Sequence, residues 1–174
     1  MNLNLEVIIL AAGMGTRMKS AKPKVLHELA GRPLIHHLVD NVRQLNPNRI
    51  HLVIGKGADQ VKASFPKTDD VNFILQQEQL GTGHAVLTAL PHCQQDSHLL
   101  VLLGDAPHVQ AATMSALVTS PAALTLLSVD LEDPTGYGRI QRDTAGHVEG
   151  IVEHRRSEEH TSELQSPDHL VCRL

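Results

Sequence analysis

A glycine-rich turn follows the first apolar run of the sequence and is a candidate for ligand binding. Residues 10–17 read Leu-Ala-Ala-Gly-Met-Gly-Thr-Arg, directly after the run Glu6–Leu10. Small residues let backbone N–H groups approach a phosphate or a base that a larger side chain would hold away. The turn therefore predicts a nucleotide-binding loop, while a plain strand-to-helix connection is the alternative.

Two common nucleotide-binding loops do not fit this turn. A P-loop needs a second glycine five residues after the first, followed by Lys and Ser. Counted from Gly13, Met18 stands at that place, although Lys19 and Ser20 follow in the right order. A dinucleotide fingerprint places its third glycine at position 18 as well, so the same residue argues against a nicotinamide-dependent oxidoreductase.

Charged residues accompany the turn. Arg17 and Lys24, with Lys19 and Lys22 between them, form a basic stretch in a chain whose formal net charge is -4. Guanidinium and ammonium groups would offset the charge of a bound triphosphate. The stretch therefore favours a local anion site in an otherwise acidic chain.

One carboxylate follows the fourth apolar run, where the sequence reads Leu103-Gly104-Asp105. Parallel strands end at one edge of their sheet, so Asp105 is expected at the same edge as the glycine turn. A carboxylate there can hold Mg²⁺, which takes one or two carboxylates together with substrate phosphates. A turn or helix cap is the alternative, because Ala106 and Pro107 come next.

A polar segment follows the third apolar run and could read a base. Residues 76–85 read Gln-Gln-Glu-Gln-Leu-Gly-Thr-Gly-His-Ala. Glutamine amides and backbone groups both donate and accept hydrogen bonds, as recognition of a base edge requires. The alternative is a polar loop in which Thr82 caps the next helix.

Alternating strands and helices must position these residues. Short, almost wholly apolar runs predict buried parallel strands, with helical stretches between them. We therefore expect an α/β fold with a mostly parallel sheet, helices on both faces, and ligands beyond the carboxyl ends of the strands. The predicted strands are Glu6–Leu10, Ile50–Ile54, Val71–Leu75, Leu99–Leu103 and Leu124–Val129, and the predicted helices are Pro33–Leu45, Gly83–Leu90 and Thr113–Thr119.

Composition excludes several other classes. The 174 residues suit one ordinary domain, and 41% hydrophobic with 20% charged residues is not typical of a disordered chain. Aromatic residues make up 2% of a negatively charged chain, which leaves little for nucleic-acid binding. The first apolar run is too short for a signal peptide or a membrane span. We therefore expect a cytoplasmic protein with no nucleic-acid or membrane partner.

Neither the cysteines nor the histidines show the spacing of a metal or redox site. Cys93 and Cys172 are far apart, and the 12 histidines include no metal-ligand motif. The adjacent His36 and His37 would point to different faces of a helix. The histidines are therefore expected to be surface or capping residues.

The end of the chain departs from the strand and helix alternation. Its sequence from Arg156, beginning RSEEHTSELQS, has no continuous apolar face and resembles the translation of a synthetic sequencing-library adapter. We therefore expect residues 156–174 to be a non-native tail without stable packing, and the native sequence to continue beyond Arg155.

Six segments together resemble one enzyme family. They run in the family's order, cover residues 6 to about 154, and read LAAGMGTRM, KPKVLHELAGRPL, QQEQLGTGHA, LLGD, DPTGYGRI and GIVEH. The family is the uridyltransferase domain of the bacterial bifunctional N-acetylglucosamine-1-phosphate uridyltransferase and glucosamine-1-phosphate acetyltransferase. The resemblance implies a Rossmann-like nucleotidyltransferase fold, also called a nucleotide-diphospho-sugar transferase fold, over residues 1–155 and incomplete at its C-terminal side.

The resemblance also implies roles for the matching residues. Backbone contacts to the nucleotide are implied for Leu10, Ala11, Ala12 and Gly13, and phosphate-facing cations for Arg17 and Lys24. Uracil reading is implied for Gln76, Gly81 and Thr82, and a strand end with a magnesium ligand for Leu103, Gly104 and the ligand Asp105. Contacts to the amino sugar are implied for Gly138 and Glu153.

The implied reaction is transfer of UMP from UTP to N-acetylglucosamine 1-phosphate, with Mg²⁺ as cofactor, in UDP-N-acetylglucosamine synthesis for the cell wall. The family's domain continues past this chain with two asparagines, one at the sugar and one at the magnesium, and a C-terminal acetyltransferase domain supports a homotrimer. Two alternatives stay open. One is another nucleotidyltransferase of the molybdopterin or sugar-phosphate type, and the other is a fragment that binds uridine nucleotides without catalysis.

Overall fold

The computed structural model describes residues 3–13, 20–65, 68–135, 137–152 and 170–172. The chain divides into two units, Met1–Ser120 and Pro121–Leu174. The strands are β1 (Leu5–Leu10), β2 (Glu28–Leu29), β3 (Arg32–Pro33), β4 (Arg49–Ile54), β5 (Val71–Leu75), β6 (His98–Leu103), β7 (Val129–Asp130), β8 (Gly138–Arg142), β9 (Val148–Val152) and β10 (Leu170–Cys172). The helices are α1 (Leu34–Arg43), α2 (Ala58–Ser64), α3 (Thr82–Ala89) and α4 (Ala111–Val118), with 3₁₀ turns at Lys24–Leu26 and Leu90–His92.

A four-stranded parallel sheet forms the centre of the first unit. Its strand order is β5-β4-β1-β6, so the first strand lies inside the sheet. Val7 of β1 aligns with Ile50 of β4 and with Leu100 of β6. The first four predicted strands are therefore confirmed, each within one residue of its expected ends.

Helices cover both faces of this sheet. Side chains alternate between the faces of a strand, so Val7 and Ile9 pack into one core and Ile8 into another. The first core includes the buried residues of α1, α2 and α4, whereas the second includes Ala85 and Ala89 of α3. The predicted α/β architecture with helices on both faces is confirmed.

The amphipathic pattern of α1 explains its place in the first core. Its buried residues Ile35, Leu38, Val39 and Val42 recur at helical spacing and form one stripe. Pro33 precedes the first helical residue, where its fixed φ suits a helix start. None of the described helices is long and apolar enough to cross a membrane.

The second unit contains an antiparallel sheet in the order β7-β10-β8-β9. The predicted strand Leu124–Val129 is wrong, because only Val129 lies in a strand. Leu124 and Leu127 are 78% and 51% exposed, so burial does not stabilise an extended run there.

The tail contributes a strand to this sheet. The backbone of Leu170–Cys172 pairs antiparallel with both β7 and β8. The expectation that the whole tail is unpacked is therefore wrong for these residues, since a short β-prone run can fill an open ladder whatever its origin. Residues 156–169 lie outside the described residues, and the adapter origin stays a prediction.

Candidate functional site

The carboxyl edge of the parallel sheet gathers three of the predicted segments. Leu10 ends β1, Leu75 ends β5 and Leu103 ends β6, so the segments that follow them start at one edge. Backbone hydrogen bonds join these segments to the sheet, from the Gly104 N–H to the Leu10 carbonyl at 2.9 Å and from the Gln76 N–H to the Ile54 carbonyl at 2.8 Å. The expected meeting of these segments is therefore observed.

The glycine turn leaves N–H groups available for a ligand. The Ala11 N–H donates to the Val53 carbonyl at 2.8 Å, but across the described ranges neither Ala12 nor Gly13 donates a backbone hydrogen bond. Gly13 is exposed, and a Cβ added there would meet nothing within 4 Å. These features suit a backbone cradle for an anion or a base edge. Arg17 lies outside the described residues.

Gln79 fixes the turn from a neighbouring segment. Its Nε2 donates to the Ala12 carbonyl oxygen at 2.7 Å. In a planar trans peptide the carbonyl and the following N–H point in opposite directions, so the Gly13 N–H points away from Gln79. Gly55 is required beside this bond, because a Cβ there would lie 2.8 Å from Gln79 Nε2 and 2.9 Å from the Ala12 oxygen.

The predicted base-reading residues form a local hydrogen-bonded group. Gln76 is 4% exposed, and its Nε2 lies 3.3 Å from the Gly81 carbonyl and 2.9 Å from Nδ1 of His84. Gly81 has a φ of +104° and is the N-cap of α3, without a side-chain capping bond. Thr82 is exposed as the first helical residue, so the alternative in which it caps the helix is not supported.

Lys24 and Asp105 form an ion pair at the same edge. The Lys24 Nζ donates to Asp105 Oδ2, and 34% and 19% of the respective side-chain surfaces are exposed. The preceding Gly104 allows close packing against β1, because a Cβ there would lie only 3.0 Å from both the Leu10 oxygen and Val25 Cγ1. The predicted phosphate-facing cation and the predicted metal ligand are thus direct partners.

Asp105 has a carboxylate oxygen that can bind Mg²⁺. Within the described part of the chain, Oδ2 is paired with Lys24 and Oδ1 accepts no hydrogen bond, so one carboxylate oxygen is available. Mg²⁺ prefers oxygen ligands and is commonly held by one or two carboxylates plus phosphate oxygens and water. The chemistry of this donor therefore fits the implied cofactor.

A second group of possible metal ligands lies elsewhere in the first unit. Ligand atoms of Glu6, His51 and Cys93 lie within 4.8 Å of one another. His51 Nε2 lies 2.9 Å from Glu6 Oε2, while Asn72 Nδ2 lies 3.3 Å from His51 Nδ1. Since the Asn72 amide donates to Nδ1, the imidazole proton is on Nε2 and is donated to Glu6.

This buried group does not fit Mg²⁺. Its only oxygen ligand, Glu6, already accepts from His51 and from the Gln94 N–H at 3.3 Å. Burial and the nearby Glu6 carboxylate raise the pKa of the Cys93 thiol to about 11, so it is protonated at neutral pH. The expectation that the histidines are surface or capping residues is wrong for His51, which is 1% exposed because Glu6 satisfies its polar ring.

The two predicted sugar contacts remain predictions. Gly138 is the first residue of β8 in the second unit, and Glu153 lies outside the described residues. In the first unit, the structure therefore brings together described residues that were predicted to contact the nucleotide and the residue that was predicted to bind the metal. Gln79, His84 and Gly55 were missed, although Gln79 and His84 stand within the polar segment that the sequence singled out.

Comparison with protein families matches residues 7–156 to a MobA-like NTP transferase domain. Among curated relatives, the bifunctional protein GlmU of Pseudomonas aeruginosa is 56% identical over 155 residues, with 88% of this chain and 34% of the relative covered. GlmU of Azotobacter vinelandii is 53% identical over 155 residues, with 88% and 34% covered. The chain thus spans about a third of the length of these relatives.

Solved structures show the same fold. HddC from Yersinia pseudotuberculosis is 28% identical with a TM-score of 0.67, covering 85% of this chain and 68% of that one. The complex of HddC with GMP-PN gives 29% identity, a TM-score of 0.65, and coverage of 87% and 70%. The 4-diphosphocytidyl-2C-methyl-D-erythritol synthase of Anaerococcus prevotii, at 18% identity and a TM-score of 0.62 over 90% and 66% of the chains, supports the fold alone. The predicted nucleotidyltransferase fold is confirmed.

Proposed function

The chain belongs to the MobA-like NTP transferase domain family, and from this premise we propose that it is the uridyltransferase part of a larger enzyme. The proposed enzyme transfers UMP from UTP to N-acetylglucosamine 1-phosphate and releases pyrophosphate and UDP-N-acetylglucosamine. The GlmU relatives at 50–56% identity support this reaction over the molybdopterin-type alternative.

One arrangement supports the proposal most. A base-reading group at Gln76 and Gly81, an open backbone cradle at Gly13, and the pair of Lys24 and Asp105 follow strands of the same sheet edge. A nucleoside triphosphate needs these three chemistries along its length: hydrogen bonds for its base, N–H groups for its ribose and phosphates, and cations for its terminal charge.

The proposed chemical step is an in-line displacement at phosphorus. An oxygen of the sugar 1-phosphate attacks the α-phosphorus of UTP, and the bond from that phosphorus to the bridging oxygen breaks, so that pyrophosphate leaves with the electron pair. The nucleophile is already an anion, so no proton has to be removed by a base. The enzyme's task is to hold two anions in line and to stabilise the charge on the leaving group.

The residues of this chain divide that task. The backbone around Gly13 orients the nucleotide, and Lys24 places an ammonium group near the phosphates, with Arg17 proposed beside it. Asp105 would hold Mg²⁺, which when bound supplies positive charge against the phosphate oxygens. Gln76, Gly81 and Thr82 are proposed to read uracil.

The remaining features of the proposal concern the larger protein. We propose that Gly138 and Glu153 contact the amino sugar, that the nucleotidyltransferase domain of this chain runs from residue 1 to 155, and that residues 156–174 are non-native. We also propose a cytoplasmic location and a homotrimer built through a C-terminal domain. Light scattering of the full-length gene product would test the trimer.

Pyrophosphate release tests the proposed reaction. The full-length gene product should release pyrophosphate from UTP when N-acetylglucosamine 1-phosphate and Mg²⁺ are present, and much less from ATP, GTP or CTP. Omission of the sugar phosphate is the control for simple hydrolysis. Preference for GTP or CTP would reject the uridyl assignment. The same assay on the present chain separates an active domain from a fragment that binds nucleotide without turnover.

A further inference from the structure

We propose that His84 is a specificity-determining positioning residue, which sets the orientation of the Gln76 side-chain amide so that the site accepts bases carrying a ring N–H donor. The inference deepens the proposed nucleotide transfer and rests on it for the identity of the ligand. His84 lies in the first turn of α3, and Gln76 directly follows β5. The contact therefore joins two elements of the first unit at its proposed base-binding end.

The hydrogen-bond partners of the Gln76 side-chain amide indicate one orientation. Nε2 of Gln76 has two protons, and its two neighbours are the Gly81 carbonyl oxygen at 3.3 Å and His84 Nδ1 at 2.9 Å. A carbonyl oxygen can only accept, so the atom facing Gly81 must be the donor Nε2. With Nε2 in this position, Nδ1 of His84 is the acceptor of its second proton, which corresponds to the tautomer with the ring proton on Nε2.

The reversed amide would lose the Gly81 contact. Rotation by half a turn would bring Oε1 of Gln76 against the Gly81 oxygen, which is also an acceptor, and the His84 contact would persist only if the imidazole proton moved to Nδ1. Gln76 is 4% exposed, so such facing acceptors would be poorly solvated and costly. The Gly81 bond alone, at 3.3 Å, would hold the amide orientation weakly, and the shorter bond to His84 reinforces it.

The fixed orientation leaves an acceptor for the ligand. Both Nε2 protons are used internally, and no residue in the described part of the chain donates to Gln76 Oε1. An acceptor matches the N3–H of uracil, whereas the corresponding ring nitrogen of cytosine has a lone pair and no proton. The two pyrimidines have nearly the same shape, so hydrogen bonds rather than size must separate them, and the bond at N3 is one that can do so.

Substitutions of His84 with and without an acceptor test the inference. His84→Leu removes the acceptor, whereas Oδ1 in His84→Asn can occupy the place of Nδ1. We expect the preference of the chain for UTP over CTP, measured as a ratio of dissociation constants, to fall about tenfold in His84→Leu. The preference should return in His84→Asn, and His92→Leu, which removes an exposed imidazole, should leave it unchanged.

A second measurement needs no nucleotide. A hydrogen bond between two nitrogens gives a scalar coupling between them, so the ¹⁵N-labelled chain should show coupling of Gln76 Nε2 to His84 Nδ1. As a check that the variant is folded, His84→Leu should retain the wild-type melting temperature. Absence of the coupling, or an unchanged UTP preference in folded His84→Leu, would overturn the inference. Failure of the proposed function has a different result, because the wild-type chain itself would then not distinguish UTP from CTP.

Discussion

Lys24 Nζ and Asp105 Oδ2 are paired across the carboxyl edge of the sheet, although the two residues stand 81 positions apart in the sequence. The two groups are proposed to act on different partners, the ammonium on phosphates and the carboxylate on Mg²⁺. Each therefore neutralises the other in the ligand-free chain. A metal ion bound at Oδ1 of Asp105 would share the carboxylate with this ammonium, and the two positive charges would repel each other.

Removal of the Lys24 charge should strengthen metal binding by the ligand-free chain. Lys24→Met leaves Asp105 without its cation, and a partly exposed ion pair is worth up to about 1 kcal/mol, or about fivefold in a binding constant. Titration with Mn²⁺ followed by electron paramagnetic resonance measures this affinity. Lys22→Met, which breaks the exposed pair with Glu28, is the matched control. Equal affinities in the wild-type chain and Lys24→Met would show that the pair does not compete with the metal.

Gln79 should affect nucleotide binding without contacting the nucleotide. Gln79→Ala removes the 2.7 Å bond to the Ala12 carbonyl, which frees the peptide whose N–H is proposed to contact the nucleotide. A lost hydrogen bond of this kind costs roughly 0.5–1.5 kcal/mol, so UTP affinity should fall about two- to tenfold.

Gln79→Glu should weaken UTP binding further, because its carboxylate would face the carbonyl oxygen of Ala12. Calorimetric titration with UTP measures both variants, and Gln77→Ala, the loss of an exposed side chain, is the control. Wild-type affinity in Gln79→Glu would contradict the role of this bond.

Cys93 should be an unreactive thiol at neutral pH. Burial, followed by the charge of Glu6, raises its pKa to about 11, and the thiolate is the form that reacts. Iodoacetamide should therefore label a Cys172→Ser chain slowly at pH 8, and the rate should rise until the pH reaches about 11. The same chain unfolded in urea is the control. Equally fast labelling of the folded chain would contradict the environment assigned to this thiol.

Asp70 should contribute to stability in a pH-dependent way. The hydrogen bond from Arg43 lowers the pKa of Asp70 in the folded chain. The contribution is therefore complete above the pKa of Asp70 in the unfolded chain, near 3.9, and is lost as the pH falls through the lower folded pKa. Both side chains are about 40% exposed, which limits the contribution to about 1 kcal/mol or less.

Urea unfolding of Asp70→Asn and the wild-type chain measures this difference. The wild-type chain should be more stable at pH 7, and the two free energies of unfolding should converge as the pH falls below 4. Asp69→Asn is a neighbouring control, since that side chain forms no ion pair among the described residues. A difference that persists at the lowest pH would assign the effect to packing rather than to charge.

The sequence predicted the first unit well because its strands are buried on both faces. Val7 to Ile9 is apolar throughout and Ile50 to Ile54 is apolar except for His51, as is typical of strands covered on both faces. The run from Leu124 to Val129 is also rich in apolar residues, but Leu124 and Leu127 are exposed, so hydrophobicity alone overpredicted a strand. Composition cannot reveal whether a covering partner exists.

The sequence predicted site residues that belong to a motif, but it did not predict residues whose role depends on a contact between distant segments. Gly104 and Asp105 follow a predicted strand, so their edge was foreseeable. The bonds from Gln79 to Ala12 and from His84 to Gln76 join segments whose relative position depends on packing. Likewise, nothing in the spacing of Glu6 and His51 indicates that these residues of adjacent strands form a hydrogen bond.

Deletion of residues 156–174 should separate the stability of the two units. All described core residues of the parallel sheet lie between Leu5 and Val118, so amide exchange in β1 and β4 should be unchanged in a chain that ends at Arg155. Exchange in β8 should become faster, because β10 pairs with it directly. Mass spectrometry of exchanged peptides measures both regions, with β9, which pairs with β8 on its other side, as an internal reference. Faster exchange in β1 would show that the tail also stabilises the first unit.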